Sequence, residues 1–450
     1  MRPLMARPRL LRLGHPAQYV VVAFVGASLV GTALLWLPFA SDEPGTTLVT
    51  ALFSATSAVC VTGLIVVDTG AHWSGFGQAV ILALIQIGGF GIMTLSSLIA
   101  LVLARRLGLR QRVVAAAETG SLDLGDVRRL LFGVAKLSLG VEAFVALVLF
   151  GRFWLQHGES LWRAAHLGLF HAVSAFNNAG FSLFSDSLMG YADDSFVLIV
   201  VAVTVIVGGL GYPVWMEIAR RPTKPSRWSL HAKLTVGPTL VLLTVGTLLL
   251  AWFEWTNPDT LGQMSTWDTS INAFFHSTMP RTAGFNSIDI ASMREPSRLL
   301  TEVLMFIGGG SASTAGGIKV TTFALLGFVM WAEARGEPDV VVFRRRVPDA
   351  TQRQALAVAL LAVGVVVAST MLLLAISNVG RQDLLFEVVS ALGTVGLSAG
   401  ATPLLSTGPQ LVTVGLMILG RVGPVTLFAA LVLREQDRAY RFPEERPIIG

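Results

Sequence analysis

Residues 53–64 read Phe-Ser-Ala-Thr-Ser-Ala-Val-Cys-Val-Thr-Gly-Leu, and the chain repeats that phrase with variations three more times. The second version is Phe170 to Phe181, FHAVSAFNNAGF; the third is Phe274 to Phe285, FFHSTMPRTAGF; the fourth is Phe386 to Leu397, FEVVSALGTVGL. In each, a Phe is followed ten residues later by a Gly (Gly63, Gly180, Gly284, Gly396) and then by Leu or Phe, and successive glycines lie 117, 104 and 112 residues apart. A period that long is not a solenoid's. A second phrase trails the first by 24 to 28 residues, at Gly88-Gly89-Phe90-Gly91, Gly208-Gly209-Leu210-Gly211, Gly308-Gly309-Gly310 and Gly420-Arg421-Val422-Gly423.

The surroundings of these phrases are apolar. Of 450 residues, 53% are hydrophobic and 14% charged, against about 25% charged in an average soluble protein, and mean hydropathy is +0.67. A soluble enzyme is excluded. A hydrocarbon core of about 30 Å is crossed by about 20 apolar residues, and eight such segments are present, near 17–39, 78–104, 130–153, 195–219, 231–253, 298–332, 354–377 and 409–433. One cysteine, Cys60, rules out an internal disulfide or a Cys-rich metal cluster. The net charge of +5 comes without a basic arm interleaved with aromatics, so no nucleic-acid partner is expected.

Orientation follows from the basic residues. The N-terminus, 104–129, 219–233, 335–353 and the stretch after 433 hold 24 of the 33 Lys and Arg. By the positive-inside rule these segments and both termini are cytoplasmic, and every repeat points the same way. Arg2, Arg7, Arg9 and Arg12 precede an apolar run too long for a signal peptide, so the first helix is expected to be retained. The segmentation is a cytoplasmic N-terminus 1–16; repeat 1, 17–104; repeat 2 with its preceding cytoplasmic loop, 105–219; repeat 3, 220–333; repeat 4, 334–433; and a cytoplasmic tail 434–450.

Each repeat reads as span, short helix, glycine-bearing loop, span. Loops survive at membrane depth only when buried or lining a watery path, because each unsatisfied backbone group facing lipid costs several kcal/mol. A stretch such as Thr47 to Ser57 is too short to cross but suits a half-crossing helix whose C-terminal dipole end favours a cation. The expected fold is therefore an all-α membrane protein with four pseudo-symmetric membrane-pore-membrane repeats around one central pore, built from eight transmembrane helices and four re-entrant pore helices. Glycine permits positive φ and lets carbonyls turn toward an axis, and such carbonyls replace an ion's hydration shell. The candidate filter is Val61, Thr62, Gly63; Asn178, Ala179, Gly180; Thr282, Ala283, Gly284; and Thr394, Val395, Gly396. Close helix packing would explain one such glycine, but not four in matching phrases.

These phrases, together with Gly316-Gly317-Ile318-Lys319-Val320-Thr321-Thr322, resemble the Trk/Ktr/HKT superfamily of potassium transporters over nearly the whole chain. Eight spans with no extra N-terminal pair are more similar to the membrane subunit of the Ktr branch (KtrB) than to the longer Trk subunit. The resemblance implies potassium passage through a bacterial cell membrane, a homodimer, and a cytosolic nucleotide-binding regulatory ring of the KtrA kind. Potassium is then the transported ion, no cofactor is bound covalently, and any nucleotide sits on the partner. In the superfamily a serine at the place of Gly63 goes with sodium-selective plant members, so Gly63 implies potassium. Each phrase has one glycine where a full potassium-channel filter has two, which implies a shorter filter.

Gly308, Gly309, Gly310, Ser311, Ala312, Ser313, Thr314, Ala315, Gly316 and Gly317 cannot hold a regular helix and form the candidate gate, as the resemblance also implies. A phosphate loop is excluded, since Gly-Lys-Ser/Thr is missing in sequence. Arg421, in an apolar span, costs about 2.5 to 3.5 kcal/mol on insertion scales. It reads either as a barrier to cations below the filter or as a tie to neighbouring carbonyls. Asp68, Asp186 and Asp289 follow their glycines by five or six residues and either attract cations at the outer mouth or brace their own loops. Asn177, Asn178, Arg281 and Asn286 are candidates to support the ring from behind, and Glu118, Asp123 and Asp126 to touch a partner. The alternative to an ion pore is a secondary transporter coupled to an ion gradient, which calls for inverted repeats. No HExxH, paired-Asp or Gly-x-Ser-x-Gly motif supports an intramembrane enzyme.

Overall fold

Long apolar runs without proline favour helix, and in the computed structural model helices dominate. It describes the backbone of residues 16–43, 45–112 and 124–433, with side chains for 20–43, 45–95, 97 and 128–423. The N-terminal segment up to residue 15, Glu118, Asp123, the side chain of Asp126 and the tail 434–450 lie outside the described residues.

The helices are α1 (Pro16–Leu35), α2 (Leu48–Val59), α3 (Thr69–His72), α4 (Gly75–Arg112), α5 (Leu124–Leu155), α6 (Leu161–Phe176), α7 (Ser195–Leu210), α8 (Tyr212–Arg220), α9 (Leu230–Glu254), α10 (Thr266–Thr278), α11 (Glu295–Phe306), α12 (Val320–Arg335), α13 (Asp349–Ile376), α14 (Arg381–Gly393) and α15 (Thr407–Leu433). The short helices α2, α6 and α10 begin where the chain supplies a hydroxyl N-cap, at Thr47, Ser160 and Ser265, each accepting from a backbone amide of the first turn. Among the described residues four stretches are long and apolar enough to cross a membrane: Gly75–Leu95, Arg128–Leu155, Leu230–Glu254 and Asp349–Ile376. A fifth is gained if α7 and α8 count as one.

Two departures from expectation, and one break that was expected, have local causes. The run 195–219 is not one straight span: α7 ends at Leu210 and the chain bends by 96° into α8. Gly211 makes the bend at φ +89°, and Pro213 in the first turn of α8 has no N–H with which to continue the α7 ladder. The run 298–332 is split into α11 and α12 by a non-helical stretch, 307–319, slightly wider than the glycine-rich core. Finally, the chain is not wholly helical: Val341–Val342 pairs antiparallel with Arg345–Arg346 across a tight turn at Phe343 and Arg344.

Packing is cyclic. α1, α5, α9 and α13 each lie against the short helix that follows, α2, α6, α10 and α14 respectively. In turn α4 packs on α6, α7 on α10, α11 on α14, and α15 returns to α2. Polarity is arranged inside out. Leu147 (69% exposed), Leu248 (64%), Leu360 (63%) and Met371 (67%) face outward, while Ser57, Thr62, Ser174, Asn177, Ser277, Thr282, Ser390 and Thr394 are buried. Such an apolar exterior fits a lipid solvent, and polar groups are kept in the interior, although the hydroxyls of Thr62, Thr282 and Thr394 have no hydrogen-bond partner among the described residues.

Candidate functional site

The four glycine loops meet at the centre of this arrangement, each just beyond the buried C-terminus of a short helix. Their backbone conformations match: Val61, Asn178, Thr282 and Thr394 have φ of 54°, 59°, 69° and 50°, and the glycines two residues later have 89°, 71°, 73° and 95°. A left-handed residue closing a helix is usually glycine. Here three of the four are β-branched, a strain of about 1–2 kcal/mol each, so the conformation is imposed by its surroundings. Hydrogen bonds impose it. The N–H groups of Thr62, Ala179 and Val395 reach back to the carbonyls of Ser57, Ser174 and Ser390, each at 2.8 Å, the helix-terminating pattern that satisfies end carbonyls. The Ser57 and Ser390 hydroxyls then accept from the Gly63 and Gly396 amides at 3.1 Å, and Ser174 donates to the Phe181 carbonyl at 2.8 Å. These serines carried a signal in the sequence, Ser or Thr four residues after each Phe, that went unused.

With the amides engaged behind, the carbonyls are left to face the ring. A Cβ built on Gly63 would lie 2.3 Å from the Ala179 oxygen, one on Gly180 2.7 Å from that of Ala283, one on Gly284 2.4 Å from that of Val395, and one on Gly396 2.2 Å from that of Thr62. Each glycine thus abuts the carbonyl preceding the next glycine, and the fourth closes on the first. No hydrogen bond among the described residues goes to the carbonyl oxygens of Thr62, Ala179, Ala283 or Val395. Buried carbonyls without a partner are uncommon. All twelve residues assigned to the filter from sequence are therefore brought together.

Behind the ring, Asn177 donates to Gln86 at 3.0 Å and to Glu142 at 3.1 Å, and Glu142 also accepts from Ser138 at 2.8 Å. Sequence reading passed over Glu142, a buried acid on α5. Arg281 turns away from the ring to donate to Thr239 at 3.1 Å, and Asn286 closes on its own loop at the Ile288 carbonyl.

The stretch 307–319 lies against this ring. Its ends are joined by bonds from Gly308 N–H to the Ile318 carbonyl (2.8 Å) and from Val320 N–H to that of Gly309 (2.9 Å). Gly310 and Thr314 donate backbone N–H to the Gly209 and Gly208 carbonyls at the end of α7. Arg421, 2% exposed, donates to the Thr314 carbonyl at 2.5 Å and to that of Gly88 at 3.5 Å. Of the two readings of this arginine, the tie is the one with hydrogen bonds behind it, and what it ties is the loop itself. Lys319, not singled out as a gate residue from sequence, donates to the Ala315 carbonyl at 2.5 Å.

The three expected mouth carboxylates differ in their local bonds. Asp68 caps α3, accepting from the Gly70 and Ala71 amides at 2.8 Å, and Asp289 accepts from Ala291 N–H and the Ser292 hydroxyl. Asp186 is exposed. A fourth acid, Asp194, caps α7 and pairs with two Arg152 nitrogens, Nε at 2.9 Å and Nη2 at 3.0 Å, and with His157 at 2.7 Å. Burial opposes its ionisation, but these bonds and the Val197 amide outweigh burial and hold the carboxyl below the usual range.

A closed ring of free carbonyls inside an apolar helical shell defines a multi-pass membrane transport protein rather than an enzyme. The chain belongs to the TrkH family of cation transport proteins, whose family model matches residues 6–441. It is 39% identical to the Ktr system potassium uptake protein B of Bacillus subtilis over 97% of each chain. It is 38% identical to the protein of that name from Vibrio alginolyticus, over 97% of this chain and 95% of that one. A third relative, the potassium/sodium uptake protein NtpJ of Enterococcus hirae, is 35% identical over 97% of each. The crystal structure of the potassium transporter TrkH from Vibrio parahaemolyticus shares the fold, with a TM-score of 0.69 at 20% identity over 93% of this chain and 84% of that one.

Proposed function

We propose that this chain is the ion-translocating subunit of a Ktr/Trk-type potassium uptake system in a bacterial cell membrane. Four pseudo-symmetric repeats, with eight spans and four re-entrant helices (α2, α6, α10, α14), surround one pore. The observation that carries this reading is the closed ring of carbonyls at Thr62, Ala179, Ala283 and Val395, free of hydrogen bonds and seated at four helix C-termini. Such oxygens replace a cation's hydration shell, and the helix ends add negative potential. The residues two before each glycine, the following ones and the glycines together form the filter. The alternative, a coupled secondary transporter, calls for inverted repeats, whereas the packing order runs in one sense around the ring.

Residues 308–317 and Arg421 form the gate below the filter, with the arginine latching the loop through the Thr314 carbonyl. At the outer mouth Asp186 remains to attract cations, while Asp68 and Asp289 spend their acceptors on their own loops. Both termini are cytoplasmic, the subunit forms a homodimer, and a KtrA-like nucleotide-binding ring governs the gate, in keeping with relatives named as components of a Ktr system. The test is rubidium uptake into liposomes holding the purified chain. Uptake competed by potassium and not by equal sodium is expected; equal competition by the two ions would exclude a potassium filter.

A further inference from the structure

The loop 307–319 touches the ring at two walls that face each other across it. At the second wall, Thr314 donates its hydroxyl hydrogen to Asn178 Oδ1 at 2.9 Å, and Asn178 Nδ2 donates to the Arg281 carbonyl of the third wall at 3.5 Å. One buried amide thereby links the loop to two adjacent walls. At the fourth wall, Gly316 lies so close to Thr394 that a Cβ would stand 1.8 Å from its hydroxyl oxygen. Thr314 is also the residue whose carbonyl Arg421 holds, so the latch and the link to the filter meet in one residue. Asn178 directly precedes Ala179, whose carbonyl oxygen abuts Gly63 in the ring.

We propose that Asn178 is a positioning residue for ion selectivity, and that its hydrogen bond with Thr314 makes discrimination between cations depend on the loop being docked. This rests on reading the ring as a filter, and it requires the loop to be docked against the ring whether or not the loop also gates flux. A ring of carbonyls distinguishes ions of different size only while its oxygens resist moving to suit the wrong one. The second wall takes part of that resistance from the loop. Withdrawing the loop removes an acceptor's partner at Asn178, frees that side chain from its link to the third wall, and lets the Ala179 carbonyl follow the ion. Asn tolerates the left-handed backbone of this position better than Val or Thr, so its choice here suits a residue whose side chain, as well as its backbone, is in use.

The experiment measures the potassium-to-sodium preference of the full chain in liposomes, from reversal potentials or competed rubidium flux, for the native chain, Thr314→Val, Thr314→Ser and a deletion of Ser311 to Ala315. Thr314→Val keeps the side-chain shape and loses the donor; the preference is expected to fall by a factor of roughly 2 to 10, the worth of one hydrogen bond. Thr314→Ser should hold near the native value, and the deletion should fall at least as far as Thr314→Val. Native preference in both Thr314→Val and the deletion would overturn the proposal. So would Thr314→Ser falling as far as Thr314→Val, because serine keeps the hydroxyl donor to Asn178. Should Thr314→Val fail to fold, the deletion and Thr314→Ser still decide it. A deletion that raises flux with preference unchanged leaves the gate standing and the coupling refuted. Lowered preference at unchanged flux supports the coupling and refutes the gate. A native chain with no preference for potassium removes the filter and the coupling together.

Discussion

Gly63→Ala is the sharpest perturbation of the ring. The new methyl would stand 2.3 Å from the Ala179 oxygen, whereas an ordinary contact begins at 3.4 Å, so the second wall's carbonyl must retreat by the difference, 1.1 Å. The backbone adds its own penalty: φ at Gly63 is +89°, and a side chain in that half of conformational space costs about 1–2 kcal/mol. An oxygen displaced from a cation forfeits an interaction of the class worth about 1.5–3 kcal/mol. Part of that loss falls on potassium and sodium alike, so the expected loss of preference is at the lower end, about tenfold. The assay is rubidium flux into liposomes with graded sodium or potassium as competitor. Gly364→Ala on α13, where a Cβ meets nothing within 4 Å, is the control and should leave both flux and preference unchanged. The clearances also rank the series: Gly396→Ala (2.2 Å) and Gly284→Ala (2.4 Å) should be as severe, and Gly180→Ala (2.7 Å) mildest. Native competition by sodium in Gly63→Ala and Gly396→Ala together would refute the ring as the selective element.

Arg421→Ala removes the hydrogen bonds to the Thr314 and Gly88 carbonyls and should raise regulator-free flux about tenfold, the scale of one charge-assisted bond; flux unaltered both in this variant and in the 311–315 deletion would sink the gate. Glu142→Leu removes the acceptor shared by Ser138, Gln86 and Asn177 and should cost about 1–3 kcal/mol in thermal unfolding in detergent, with Glu142→Gln milder because it keeps an acceptor; equal melting of the two would count against the network. Asp194→Asn should lower the melting temperature at neutral pH. The native carboxyl sits below its ordinary value, so its contribution is present above the unfolded-state pKa and is lost as pH falls through the folded one, and the two melting curves should converge in acid. A gap that persists there would assign the effect to shape instead of charge.

Much of the site was legible because the same phrase recurs four times, and a residue type kept at one place in four copies points to one job. The twelve candidate filter positions came from that comparison, and the break at 308–317 from its glycine-rich composition. The bend at Gly211 was harder to see, since Gly208-Gly209-Leu210-Gly211 reads like its counterpart at Gly88, which stays helical within α4; Pro213 two residues later was the available sign. Lys319 and Glu142 were missed because a charged residue in an apolar span says nothing of its partner until the neighbouring helix is placed.

Arg421 and Gly88 are 333 residues apart, and Thr314 and Asn178 are 136 apart. No periodicity links such pairs. Sequence alone determined the apolar shell, the four loops and the glycines that let them turn, because each depends on local composition or on spacing within one repeat. Tertiary structure alone decided the order in which glycine meets carbonyl around the ring, the loop bonds that Asp68 and Asp289 accept, and the arginine's choice of the loop as its partner. Those outcomes depend on how four units close on one another, and the bonds across that closure form only between residues that the chain itself keeps far apart.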